Sequence, residues 1–405
     1  MNKRKPINFN KAYYFLYWYV GINSVMHIFR SSIRILNYAY ALALLLIVIR
    51  VFIHLWNGAK ASFSIFYIKL LCFLISIGMS FAVSIEFLSR TLAAALPVIL
   101  LYMAKLKQPI EGEYNSFILG LKQAILIDLI YAVFQGIGML KGIDINHILF
   151  TVLNMSEDLI AQSDLAFRYH RLTGMIWDPF VIGMFSVIGF YLFHHKGLKI
   201  LSLFILLFSS SRTSLLGLAV SGVYYYYPMF KKRKYFLFVV TVLLTAIILV
   251  PNIVNLTRGF SKDSEGYKRI EYITLMPKVI AHEENVFYTL FGGTPVFTGA
   301  RFYFSGIESM VNNTMRNPYW NIESDWFGIV YGQGLVGMAI YFATYLYILH
   351  KQKNRLYKAV VIAILFAGVG YFYDSAIYTN LLTFLPLYSK ADNKGILVKG
   401  KGKNK

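Results

Sequence analysis

The side chains able to do chemistry in this chain are arginines and carboxylates set beside long apolar runs. Arg168 and Arg171 lie in Phe167-Arg168-Tyr169-His170-Arg171-Leu172-Thr173-Gly174-Met175-Ile176-Trp177-Asp178-Pro179, just before a strongly apolar stretch. Arg212 stands alone at the tip of Ser210-Ser211-Arg212-Thr213, between two short apolar runs. An arginine at membrane depth costs roughly 2.5–3.5 kcal/mol on insertion scales, and such residues usually face an aqueous cavity or an anion. The guanidinium is also the group suited to two-pronged binding of phosphate. The plainer alternatives are snorkelling to headgroups and bonding to carbonyls at a hairpin tip. Arg269 falls in Tyr267-Lys268-Arg269-Ile270-Glu271-Tyr272-Ile273-Thr274-Leu275-Met276-Pro277, whose helical spacing puts it on one face with Ile273 and Met276. That segment also reads as a helix lying on a membrane, with Arg269 solvated.

The carboxylates are Glu323 and Asp325, which flank Ser324 where a polar segment re-enters an apolar run. A carboxylate at such a boundary suits a general base acting on a hydroxyl. Their i, i+2 spacing puts them on different helix faces, which argues against a paired-carboxylate glycosidase site. Capping is the structural alternative, because Ser324 and Asp325 favour the positive end of a helix that starts there. The histidines show no metal-ligand spacing, and the lone Cys72 excludes both an intramolecular disulfide and a cysteine-built metal site. Gly292-Gly293-Thr294-Pro295 is a turn, since no Lys-Ser/Thr helix follows it as in a phosphate loop.

The elements that must hold these residues are membrane helices. With 57% hydrophobic and 15% charged residues, a 405-residue chain makes little sense as a soluble globule. The apolar runs predict an all-α polytopic bundle of about twelve spans. They fall near 12–28, 36–56, 62–80, 85–104, 115–137, 174–193, 197–210, 213–229, 235–252, 325–348, 359–373 and 376–388. The expected organisation is a bundle over 1–252 with an outer loop at 138–173, a long loop over 253–324, further spans over 325–388, and a basic tail over 389–405. The long loop carries seven cations, seven anions and many aromatics, which is too rich a composition for disorder.

Short basic loops, Lys231-Lys232-Arg233-Lys234 and Lys351 to Lys358 above all, put both termini in the cytoplasm and the 253–324 loop outside. The net charge of +21 is therefore spread over cytoplasmic loops and a lipid-facing tail, and does not point to nucleic acid.

The residues resemble a known family, the O-antigen ligase and polymerase superfamily of bacterial envelope polysaccharide enzymes (Wzy-type). The marks are Arg171-x-x-Gly174 followed by Asp178-Pro179-x-x-x-Gly183, then Ser210-Ser211-Arg212 with Thr213-Ser214-Leu215-Leu216. Arg269 early in a long outer loop, Leu290-Phe291-Gly292-Gly293, and Glu323-Ser324-Asp325-Trp326-Phe327 running into Gly332-x-Gly334-Leu335-Val336-Gly337 complete the set. They cover about half the chain, from Arg168 to Leu349.

The resemblance implies a metal-independent, cofactor-free glycosyl transfer at the outer face of the bacterial cytoplasmic membrane. The donor it implies is a glycan on polyprenyl (undecaprenyl) diphosphate. Arg171, Arg212 and Arg269, with Arg168 beside them, would hold the diphosphate, and Glu323, with Asp325 near it, would activate the acceptor hydroxyl for inverting attack. Related ligases usually carry His where this chain has Glu323, which favours a repeat-unit polymerase over an O-antigen-type ligase. A flippase for lipid-linked oligosaccharide is the transport alternative, and a shape-and-division peptidoglycan glycosyltransferase is a more distant one. Implied partners are the lipid-linked oligosaccharide, membrane lipids, a chain-length regulator and a flippase.

Overall fold

The computed structural model describes residues 9–23, 25, 34–56, 111–155, 157–176, 178–226, 275, 278, 286–291, 325–351 and 354–367. These residues are mostly helical and contain no strand. By contact density the chain divides into two compact units, Met1–Ala61 with Leu106–Ser211 and Leu381–Lys405, and Ser62–Lys105 with Arg212–Asn380.

In the first unit the helices are α1 (Phe9–Asn23), α2 (Arg34–Trp56), α3 (Glu111–Leu140), α4 (Ile145–Val152), α5 (Glu157–Arg168), α6 (Pro179–Leu192) and α7 (Lys196–Ser209). The 30-residue α3 is the organising element. Its buried face repeats at helical spacing through Phe117, Leu121, Ala124, Asp128 and Gln135, while Ile127, Ile130, Phe134 and Ile137 stand exposed on another face. Within α3, Asn115–Leu140 is long and apolar enough to cross a membrane, the one such helix among the described residues.

The backbones of α1 and α3 meet almost directly. A Cβ on Gly21 would run into the Phe117 carbonyl oxygen, and one on Gly120 into that of Trp18. Two glycines facing each other's backbone let the helices approach closely, as small-residue pairs do in membrane bundles. Trp18 Nε1 donates to Gln123 Oε1 at 2.7 Å across the same contact. Helix α2 packs on α1, with the Arg50 guanidinium 3.8 Å over the Tyr13 ring.

Helices α6 and α7 form a hairpin that turns through Phe193–His195. Asp178 caps α6 by accepting the Phe180 N–H at 2.7 Å, and Pro179 takes the first helical position, where no N–H is needed. Nearly all of α6 is buried, and its Ser186 hydroxyl is satisfied by the Ile182 carbonyl one turn earlier.

The second unit contains α8 (Arg212–Tyr226), α9 (Val286–Phe291), α10 (Asp325–Lys351) and α11 (Arg355–Ala367). Helix α8 packs against α11, where Gly217 faces the Ala363 carbonyl, and α9 packs against α10. Gly334 breaks α10 with φ 68° and ψ −171°, a region open essentially to glycine alone. A side chain there would also strike the Leu290 backbone of α9.

Helices occupy the expected spans near 12–28, 36–56, 115–137, 174–193, 197–210, 213–229, 325–348 and the start of 359–373. The spans expected at 62–80, 85–104, 235–252 and 376–388 lie outside the described residues, as does the helix expected over 267–277 apart from Leu275. One finding differs from the sequence reading. Much of the segment expected to be an outer loop, 138–173, is helical, because Asp144 caps α4 and α5 packs back on it.

Candidate functional site

Arg168 to Met175, with Asp178 and Pro179, is the part of the expected site that the structure describes in side-chain detail. Helix α5 ends in a Schellman motif, with the Arg171 N–H on the Ala166 carbonyl at 3.0 Å and the His170 N–H on Phe167 at 2.9 Å. His170 takes the left-handed position, φ 49°, that glycine usually fills there. This cap delivers Arg171 to a fixed place.

The next two residues satisfy the end of α7. The Leu172 N–H donates to the Phe208 carbonyl at 3.2 Å, and Arg171 Nε donates to the Ser209 carbonyl at 3.3 Å. A helix leaves its last carbonyls without partners inside itself, and a cation at that end is favoured by the helix dipole. The Arg171 guanidinium also lies 5.5 Å from the Phe180 ring centroid in the first turn of α6. Arg171 is buried, at 7% exposure, whereas Arg168, three residues earlier, is exposed.

Beyond Arg171 the backbone is tied to α3 by side chains. Gln135 Oε1 accepts the N–H groups of both Thr173 and Gly174, at 3.0 and 3.1 Å, and its Nε2 donates to Thr173 Oγ1 at 2.9 Å. Asn146 of α4 adds Nδ2 bonds to Thr173 Oγ1 at 2.7 Å and to the Gly174 carbonyl at 3.3 Å. Its own oxygen accepts Tyr131 Oη at 2.7 Å. Asp128 Oδ1 accepts the Met175 N–H at 2.7 Å, and Oδ2 has no hydrogen-bond partner among the described residues.

Gly174 makes this possible. At φ 61° it adopts the left-handed region, and a Cβ there would lie 2.5 Å from Asp128 Oδ1. Asp128, Tyr131 and Gln135 thus form a polar ladder on one face of α3, at spacings of three and four. Sequence reasoning missed the ladder, although polar residues at helical spacing inside an apolar run were the available signal.

Helices α4 and α5 are clamped by His147 Nδ1 and Asp164 Oδ1 at 2.8 Å. Asp144 caps α4 by accepting the His147 N–H at 3.0 Å. Partial burial pushes the Asp144 carboxyl above its ordinary value, outweighing the lowering effect of that N–H; the neighbouring Asp164 charge acts in the same direction as burial.

The placement of the remaining expected site side chains lies outside the described residues. Arg212 opens α8 and Asp325 opens α10, but their side chains lie outside the described residues, and so do Arg269 and Glu323 altogether. Among the described residues no group of three His, Cys, Asp or Glu side chains could hold a metal ion. The arrangement present is a buried guanidinium on a loop held rigid by backbone and amide bonds, suited to presenting a fixed positive charge to an anion. No protein-family model matches the chain, and no curated protein matches it.

Proposed function

We propose that this chain is a multi-pass glycosyltransferase of the bacterial cytoplasmic membrane that polymerises lipid-linked polysaccharide repeat units at its outer face. The acceptor hydroxyl, deprotonated by Glu323 with Asp325 near it, attacks the anomeric carbon of a glycan on polyprenyl diphosphate. The new C–O bond forms as the bond to the diphosphate oxygen breaks, and the electron pair leaves on that oxygen. Arg171, Arg212 and Arg269, with Arg168 at the rim, offset the charge that develops there. No metal or cofactor enters the step, and the departing diphosphate supplies the driving force.

The observation that carries this reading is the fixed burial of Arg171 in the Arg171-x-x-Gly174 and Asp178-Pro179 segment. A cation held in place by Ser209 and Phe180 needs little reorganisation when charge develops beside it, which is the condition for electrostatic catalysis. The apolar character of Asn115–Leu140 supports the membrane setting.

The test is purified protein incubated with a lipid-linked repeat unit, with products resolved by size. A ladder that disappears in Arg171→Ala and Glu323→Gln supports the reading. Translocation of the labelled lipid in liposomes without new glycosidic bonds would instead make the protein a flippase, and transfer of finished glycan to a new acceptor would make it a ligase.

A further inference from the structure

The exposed apolar side chains of α3 do not stop where the helix stops. Ile127, Ile130, Phe134 and Ile137 follow one another at spacings of three, four and three, each 44–58% exposed, and Leu140 at the end is 90% exposed. The chain then reverses through Lys141 and Gly142, with the Ile143 N–H returning to the Gly138 carbonyl at 2.8 Å. Past the turn the apolar exposure resumes at Ile143 (48%), Ile148 (55%) and Val152 (77%).

Helix α4 is divided into three faces. Asn146 and Phe150 are buried, His147 and Thr151 are exposed and polar, and Ile148 and Val152 are exposed and apolar. At about 100° per residue these pairs fall on sectors about 100° or more apart. A short helix with one face on its own protein, one polar and one apolar is built to lie along a membrane surface. Two adjacent exposed aliphatics one turn apart are otherwise unfavourable in water.

We infer that the end of α3 and the Ile148–Val152 face of α4 together form a docking surface for the phospholipid leaflet at the C-terminal end of α3. The occupant is lipid, because the α4 face continues the exposed stripe of a helix long and apolar enough to span a bilayer. The exposed Lys141 stands at the turn between the two faces, where a long cationic side chain reaches phosphate headgroups. The consequence reaches the candidate site. Asn146 of α4 bonds Thr173 and Gly174, so the depth at which α4 lies sets the depth of the Arg171 segment. This inference rests on the membrane reading of α3.

The experiment uses the full chain with Cys72→Ser, reconstituted in phosphatidylcholine nanodiscs, and one nitroxide-labelled cysteine per variant. Ile148→Cys and Val152→Cys are compared with His147→Cys and Thr151→Cys, and Phe134→Cys reports on α3. The expected result is contact with an aqueous nickel chelate about tenfold lower at 148 and 152 than at 147 and 151, with oxygen contact raised. Ile143→Cys against Lys141→Cys reads the same surface independently should an α4 variant fail to assemble. Lipid contact at Phe134→Cys with water contact at 148 and 152 overturns this inference and leaves the membrane reading standing. Water contact at Phe134→Cys overturns both. Protection at 148 and 152 accompanied by dipolar broadening between labels would mean a second copy covers the face, and also overturns it.

Discussion

Arg171 in the first unit and Arg355 in the second perform the same local act in different surroundings. Arg171 donates to the last carbonyl of α7 and lies over Phe180; Arg355 donates to the Tyr224 carbonyl near the end of α8 and lies 5.3 Å from the Tyr224 ring centroid. Each is a cation completing a helix C-terminus. Around Arg355 the chain is held by a local device, Asn354 Oδ1 accepting the Leu356 N–H at 2.9 Å. Around Arg171 it is held by Gln135 and Asp128 from 38 to 47 positions away. Capping explains an arginine. It does not explain a buried polar ladder that fixes the residues beside it, and that difference marks the first junction as the functional candidate.

The strongest way to break this comparison is Gly174→Ala. The left-handed backbone costs about 1–2 kcal/mol for a residue with a side chain, and the collision with Asp128 adds to it. Thermal unfolding in detergent should show a large loss, whereas Gly142→Ala, with φ 71° and nothing within 4 Å of the added carbon, should lose only about 1 kcal/mol. Equal losses would remove the ladder's special status.

Next come the arginines themselves. Arg171→Lys should lower polymer formation by about 10²-fold or more with folding intact, since a lysine cannot reproduce the guanidinium's directed bonds. Arg355→Lys should leave polymer formation close to wild type. Matching losses in a product-ladder assay would mean that both arginines are structural.

Gln135→Ala should cost about 1–3 kcal/mol for each backbone N–H of Thr173 and Gly174 left without an acceptor. Asn354→Ala, losing a cap, should cost about 1 kcal/mol. Chemical denaturation of the two variants ranks them, and a larger effect at Asn354 would reverse the comparison.

The smallest effect concerns pH. The Asp144 carboxyl is raised in the folded chain, so the folded state binds its proton more tightly than the unfolded state does. Its contribution favours folding at low pH, falls as pH rises from the ordinary 3.8 through the raised value, and stays constant above that. Asp144→Asn, which keeps an acceptor for the His147 N–H, should flatten this slope in melting temperature against pH; an unchanged slope would refute the assignment.

Much of the helical layout was legible because an apolar run of twenty residues, as in α3, has few other uses. The short α4 and α5 were not, since eight or twelve residues of mixed polarity lack such a run; for α4, Asp144 before Ile145 was the available cap signal. Arg171 was legible, with Arg168, as a cation just before an apolar stretch. Its anchors were not, because nothing in Asp128 or Gln135 announces that their partners lie some forty residues away. Gly334 lies close against the Leu290 backbone of α9 and also breaks α10 there, a backbone event that composition does not encode.

The ladder on α3 also has a consequence for how this protein is made. Gln135 leaves the ribosome 38 residues before Thr173, the residue it must hold. On the proposed membrane setting, the nascent α3 would enter lipid carrying an amide and a carboxyl with nothing yet to grip. Gln135→Leu would remove that unpaired amide and ease insertion, at the expense of a finished protein whose Arg171 segment is loose.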